Sequence, residues 1–299
     1  VAESWGEVDS TAIFPRSAFK PFQALATLVG DDALTLDEHQ LALSMASHSG
    51  ESRHVKGVQA WLDDLGLSEN DLRCGAHPPV YQPAAAELYR DGGKPDARHH
   101  NCSGKHTAFL AYAKKLGAAP EYDAYDHPVQ KRIRAVGRDF LGVDLVDAPH
   151  GRDGCGVPNY AVPLACLAKA YATLTSPPDD YAEACHALLN AWAARPDLVA
   201  GSERFDTAVM LATGGDVLCK QGAEGVQGAL IRERGIGIAV KAMDGAQRAG
   251  EQAMATLLVH YQALDLKDRE LRKHWKLATQ ILTNDGGQEI GKVIVDLAA

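Results

Sequence analysis

The strongest constraint on the fold is where the helical punctuation of this chain stops. From about residue 35 to about residue 200 the sequence reads as one helix after another. The segment 53–65 closes at Gly66, 83–89 opens at Pro83, 103–116 closes at Gly117 and 128–140 opens at Pro128, with further helical patterns at 158–172 and 180–193. Glycine just past a helix end and proline in its first turn are what helix termini favour. After residue 200 the pattern changes. A short helical segment at 205–211 precedes β-rich runs at 216–220, 226–232 and 235–242, which are separated by glycine-containing turns. A helical segment at 247–261 and a last β-rich stretch at 287–297 follow, and residues 2–7 also read as a strand. Strands at both ends around a helical middle predict an α/β chain of the α+β kind. Its expected form is an antiparallel sheet built from both chain ends with an inserted helical subdomain. The expected organisation is a single domain over 1–299. Its sheet subdomain would cover about 1–34 and 200–299, and its helical subdomain about 35–199.

Near the start, Ser17 stands where an N-cap belongs, ahead of an apolar helical pattern of Phe19, Phe22, Leu25 and Leu28. Pro21 is tolerated there because first-turn amides lack helical partners. Thr35-Leu36-Asp37-Glu38 reads as a capping box opening a second helix to about residue 46.

Charge excludes some partners. Thirty Lys and Arg against 39 Asp and Glu leave a formal charge of −9. Nucleic acids and anionic membranes require a concentrated positive face. The longest mostly apolar stretch, 161–174, contains Lys169 and falls short of the roughly 20 residues a bilayer needs. Six cysteines in 299 residues are too few for a disulfide scaffold, which fits a reduced, cytoplasmic setting.

Ser17-Ala18-Phe19-Lys20 is an S-x-x-K element. Residues three apart share a helix face, so hydroxyl and amine can meet. A serine becomes a useful nucleophile when a base takes its proton, and a lysine whose pKa is depressed can be that base. Two fixed positions carry little information by themselves, but the context adds to them. Lys220-Gln221-Gly222 lies at the end of a predicted strand. In penicillin-recognising serine hydrolases an S-x-x-K serine opens a helix beside a strand bearing K-[TS]-G; here Gln221 stands in the middle position. A second serine is offered by Ala46-Ser47-His48-Ser49-Gly50-Glu51, where Ser47 or Ser49 could pair with Lys220. Both serines are also plausible caps for the helix near Ser52.

A second set opens the helix at Asn101-Cys102-Ser103-Gly104-Lys105-His106, with Cys155 in the glycine-rich loop Arg152-Asp153-Gly154-Cys155-Gly156. Cys-x-x-Lys puts thiol and amine on one face, and a thiolate at a helix start is a soft metal ligand. Spacing alone equally allows two small residues in tight loops. The other four cysteines fall in core patterns or at a helix end, and the twelve histidines read mostly as surface or capping residues.

Together these segments resemble the Rhizobium etli-type bacterial L-asparaginases. The resemblance rests on Phe14-Pro15-Arg16-Ser17-x-x-Lys20, the stretch from Ala46 through Glu51 to Arg53-His54-Val55, Asn101 to His106, Asp126-His127-Pro128-Val129-Gln130, Asp153-Gly154-Cys155 and Lys220-x-Gly222-Ala223-Glu224-Gly225. It implies a fold like that of serine β-lactamases and penicillin-binding proteins, and an amidohydrolase that converts L-asparagine to L-aspartate and ammonia. It implies two Ser–Lys pairs, Ser17 with Lys20 and Ser47 with Lys220, the second falling on Ser47 rather than Ser49. It implies a zinc site of Cys102, Lys105 and Cys155 beside the substrate pocket, assisting binding rather than generating the nucleophile. Arg16, Ser49, Asn101 and Asp153 become expected substrate-binding residues, with Arg16 on the α-carboxylate and Asp153 on the α-ammonium. A homodimer completes the expectations, and the strand that family members carry ahead of residues 2–7 is expected to be missing from this chain. Glutaminase activity is a close variant. A penicillin-binding peptidase or β-lactamase, a hydrolase whose zinc activates water, and a non-catalytic binding protein are the competing readings.

Overall fold

A computed structural model of the chain describes residues 2–298. They form two compact units. One comprises Val1–Ala18, Val162–Thr175 and Glu203–Ala299; the other comprises Phe19–Ala161 and Ser176–Ser202.

The first unit is organised by an antiparallel three-stranded sheet of Val217–Gly222, Val226–Ile231 and Ile236–Lys241. The first two strands are joined through residues 223–225, where Glu224 and Gly225 both take positive φ, +61° and +68°. Alternation decides what each face meets. Val217, Cys219, Ala229, Ile231 and Ile238 face a core shared with Phe205, Val209, Met254, Leu258 and Trp275. The helices Phe205–Ala212 and Gln247–His260 supply much of that layer. The opposite face carries Lys220, Gly222, Gly228 and Gly237 and is covered by the helix Leu164–Thr173. A Cβ on Gly237 would lie 2.0 Å from the Ala168 carbonyl oxygen, so this helix touches the strand backbone.

The single sheet expected from both chain ends is replaced, among the described residues, by four small antiparallel sheets. Residues 2–7 are not a strand: the chain bends at Gly6, φ +81°, and the first strand is Ala12–Ile13, paired with Val162–Pro163. The closing strand, Glu289–Lys292, pairs with Ile281–Thr283 in its own hairpin. One physical reason lies at the edge strand Val217–Gly222. Its Gln221 amide donates to the Asp206 carboxylate at 2.8 Å, so a helix side chain occupies a position a further strand would need.

The second unit is helical: Lys20–Leu25, Glu38–Ser44, Ser52–Leu65, Gln82–Arg90, Ser103–Lys115, Pro128–Leu141, Ala182–Ala194 and Pro196–Val199. The glycine stops hold where φ > 0 is needed, as at Gly66 and Gly117. Two local expectations change. The capping box of Glu38–Ser44 uses Asp37 and Gln40, not Thr35, with the Asp37 carboxylate accepting from the Gln40 amide at 2.8 Å. Residues 158–172 do not form one helix: Pro158–Tyr160 and Val162–Pro163 are strands and the helix starts at Leu164, because the residue before a proline is driven from the α region. Among the described residues no helix is long and apolar enough to cross a membrane.

Phe205 is 1% exposed and meets Trp275 edge-on at 4.8 Å. Phe205→Ala should cost about 3–5 kcal/mol of stability through the cavity it leaves. Urea denaturation followed by tryptophan fluorescence measures this loss.

Candidate active site

Arg16, Ser17 and Lys220 belong to the sheet-containing unit, and the other expected site residues to the helical one.

In the sheet unit, Ser17 is not an N-cap. It lies within a 3-10 turn, Arg16–Phe19, that leads straight into the six-residue helix from Lys20. The turn is closed by the Ala18 amide donating to the Pro15 carbonyl at 3.0 Å. Arg16 enters it at φ +51°, a left-handed conformation that non-glycine residues adopt only when their surroundings enforce it. Its guanidinium pairs with the Glu224 carboxylate at 3.0 Å. The turn rests on the strand: a Cβ on Gly222 would lie 2.6 Å from the Pro15 oxygen and 3.3 Å from the Ala18 nitrogen. Gly222 shares its strand face with Lys220, two residues earlier, so the Ser17 turn lies over the face that carries Lys220. Lys220 is fully buried and donates to the Gln221 carbonyl at 3.0 Å. The Gln221 side chain, in the position of a Thr or Ser, accepts from the Arg204 guanidinium at 2.6 Å.

In the helical unit, Lys20 is fully buried, and its amine donates to the Ala46 carbonyl at 2.6 Å and to Ser47 Oγ at 2.9 Å. Burial pushes this amine below its ordinary range. Lys105 adds to the push, and the sulfurs of Cys102 and Cys155 oppose it. Ser49 Oγ, by contrast, donates to the Ala200 carbonyl at 2.8 Å. Ser47 therefore has a lysine amine on its hydroxyl.

The segment around them is held by histidines whose tautomers the hydrogen bonds define. His48 Nδ1 accepts from the Gly50 amide at 3.1 Å, so Nε2 carries the proton and donates to Ser103 Oγ at 2.8 Å. His54 Nδ1 accepts from the Glu51 amide at 3.1 Å, and Nε2 donates to the Asp197 carbonyl at 2.9 Å. Burial drives both rings below their usual range, His54 to about 4, which keeps them neutral and their donor roles fixed.

Cys102, Lys105 and Cys155 come together. The Lys105 amine lies 3.1 Å from Cys155 Sγ, and Cys102 Sγ lies 3.3 Å from the Asn101 amide oxygen. All three are buried. The neighbouring Cys155 thiol pushes Cys102 well below the ordinary thiol range, with Lys20 and Lys105 adding to the effect against burial. Burial pulls Lys105 down, but Cys155, Cys102 and Asp153 outweigh it and hold the amine above its ordinary range. Gly104 makes this arrangement possible. A Cβ there would lie 2.4 Å from the Leu43 carbonyl, so the helix Ser103–Lys115 docks directly on Glu38–Ser44. Cys155 sits in a tight loop in which Asp153 Oδ1 accepts from the Gly154 amide at 2.9 Å and the Gly156 amide donates to the Asp153 carbonyl at 2.8 Å.

Residues 1–295 match the family model for L-asparaginase II. The chain belongs to the L-asparaginase II family. Membership makes it an amidohydrolase with an amino acid amide as substrate, at the level of the family. No curated protein matches this asparaginase-family chain in a sequence search.

The distant partners of two residues escaped the sequence reading. Glu51 closes the Ser47–Glu51 segment: its carboxylate accepts from the Ser202 amide at 2.8 Å, the Ser202 hydroxyl at 2.8 Å and the Arg53 guanidinium at 2.6 Å. Gly201 leaves the room this needs, since a Cβ there would lie 2.5 Å from Glu51 Oε1. The second is Tyr122, whose hydroxyl accepts from the Arg73 amide at 2.7 Å and reaches His106 Nδ1 at 2.8 Å. No local pattern shows these bonds, because Ser202 and Arg73 are distant in sequence from Glu51 and Tyr122.

Although burial raises the Glu51 carboxyl, the Ser202 and Arg53 hydrogen bonds outweigh it and hold the group below its ordinary range. A depressed carboxyl pKa contributes stability above the unfolded-state value and loses it as pH falls through the folded-state value. Glu51→Gln should therefore be less stable than the parent at pH 7, with the gap closing below about pH 4. Thermal melts of both proteins from pH 7 to pH 3 measure the gap.

Proposed function

We propose that the chain hydrolyses L-asparagine to L-aspartate and ammonia through a covalent ester on Ser17, in a fold of the serine β-lactamase type. The observation that carries this reading is Lys20. It is a fully buried amine, pushed down by that burial and aligned on a serine hydroxyl, three residues after Ser17 in consecutive turns of one chain segment. Such an amine gives up its proton more readily than a solvated lysine, which is what a base for serine requires.

Ser17 Oγ bonds to the side-chain amide carbon of asparagine while its proton passes to Lys20. Collapse of the tetrahedral intermediate breaks the C–N bond, and the nitrogen takes the proton from Lys20 and leaves as ammonia. Water then adds to the ester carbon, releasing aspartate and restoring the Ser17 hydroxyl. Ser47 accepts from Lys20 and is assigned to the proton relay, with Lys220 as the second lysine of the set. The β-lactamase-like reading is supported by the Ser17 turn packed on the strand of Lys220-x-Gly222. Arg16 and Asp153 are assigned to the substrate carboxylate and ammonium, as the chemistry of each charge favours. Asn101, whose amide oxygen lies 3.3 Å from Cys102 Sγ, and Ser49 are also assigned to the substrate pocket.

Cys102, Lys105 and Cys155 would hold zinc. Two sulfurs and a nitrogen are a fitting donor set, and the Lys105 amine already lies 3.1 Å from Cys155 Sγ. A bound zinc would supply fixed positive charge beside the substrate. Lys105 must lose its proton to ligate, so binding should release protons. The six cysteines are free thiols, which supports a reducing, cytoplasmic compartment, and the assembly proposed with this reading is a homodimer.

Ser17→Ala should abolish ammonia release from asparagine while its circular dichroism spectrum stays that of the parent. Turnover near the parent's would remove Ser17 as nucleophile. Glutamine assayed in parallel separates asparaginase from glutaminase. Cys102→Ala should weaken zinc binding by calorimetry and raise KM more than it lowers kcat. Equal collapse of both in folded protein would assign the metal to the chemical step.

A further inference from the structure

Tyr171 is fully buried in the helix Leu164–Thr173 and takes no part in the scheme above. A buried phenol needs a hydrogen-bond partner. This one donates to the Ala18 carbonyl at 2.7 Å, across 153 residues of sequence. Ala18 is the residue after the proposed nucleophile and part of the turn Pro15–Ala18.

The route by which the ring reaches that carbonyl is built into the sheet. Tyr171 lies over Gly228 of the middle strand, where a Cβ would stand 2.3 Å from the ring Cζ and 2.5 Å from the hydroxyl. Gly237, on the next strand, lets the helix approach closely enough for this, since a Cβ there would lie 2.4 Å from the Ala172 nitrogen. Gly222 receives the other side of the turn. The Ser17 turn is thus gripped from two directions: its Pro15–Ala18 backbone lies on Gly222, and the Ala18 carbonyl is tied to Tyr171. It also begins in the left-handed conformation of Arg16, which such a grip sustains. Burial pushes the phenol well above its ordinary range, so it remains a proton donor throughout the working pH range.

We infer that Tyr171 is a positioning residue for the Ser17 nucleophile, acting through the Ala18 main-chain carbonyl and reaching it through the side-chain gap at Gly228. This rests on the assignment of Ser17 as nucleophile. Because a misplacement of about 1 Å can cost about a hundredfold in rate, a phenol that fixes one peptide of the turn has kinetic leverage without touching substrate.

The test uses the full chain with Tyr171→Phe, which keeps the ring and removes the donor, and Gly228→Ala, which keeps the donor and displaces the ring. Steady-state asparagine hydrolysis is read together with the rate at which an alkyl fluorophosphonate labels Ser17, located by peptide mass. Tyr171→Phe should lower kcat and the labelling rate together, each by about tenfold, with KM within about twofold of the parent. Gly228→Ala should move both in the same direction. Either variant, folded and with parental kcat and labelling rate, overturns the inference and makes Tyr171 a packing residue only. Ser17→Ala separates the two levels. If it is inactive while the Tyr171 and Gly228 variants behave as the parent, only the positioning role falls. If it still hydrolyses asparagine, the nucleophile assignment falls and the positioning role with it.

Discussion

A lysine amine with no exposure to water has to find acceptors inside the protein, and much of the helical unit is arranged around that requirement at Lys20. Its acceptors are the Ala46 carbonyl and Ser47 Oγ. Both lie just after the helix Glu38–Ser44, where the chain leaves helical hydrogen bonding and a carbonyl is available. The segment that follows is fixed at nearly every step. The Ser47 amide donates to the Val199 carbonyl, the His48 amide to Asn101, Ser49 Oγ to Ala200, and Glu51 accepts from Ser202. A buried polar group left without a partner would cost more than each of these bonds contributes, so the segment has little freedom to place its hydroxyl elsewhere.

The same economy governs the second buried lysine. Lys105 lies with its amine on Cys155 Sγ and above the Phe109 ring, 5.7 Å from its centroid. Two buried amines and two sulfurs in one neighbourhood bias each other, lowering Cys102 while raising Lys105.

Glycines at points of closest approach transmit sequence into placement. Gly104 lets the Cys102–Lys105 turn meet Leu43; Gly222 lets the Ser17 turn rest on the strand; Gly228 and Gly237 let Tyr171 and its helix meet the sheet. At each, a single Cβ would collide with backbone or a packed ring. The tolerance is a few tenths of an ångström, the scale at which well-packed interiors respond.

Sequence by itself determined the local elements. Helices ending near Gly66 and Gly117, and the three strands around 217–241, follow from periodicity and turn chemistry, which act over a few residues. It also offered the candidate chemistry, since helical spacing can bring the groups of S-x-x-K and C-x-x-K to one face, but the bonds the two lysines make in the structure run to Ser47 and Cys155. Tertiary structure decided what adjacency cannot. The strand expected at 2–7 became a bend, and the sheet edge near it in expectation is occupied by Asp206. The cap moved from Thr35 to Asp37, since only one register offers both reciprocal bonds. Lys20 met Ser47, and Tyr171 met Ala18, through contacts spanning 27 and 153 residues. Such pairings depend on which faces the whole chain buries together, and no local pattern of residues records that.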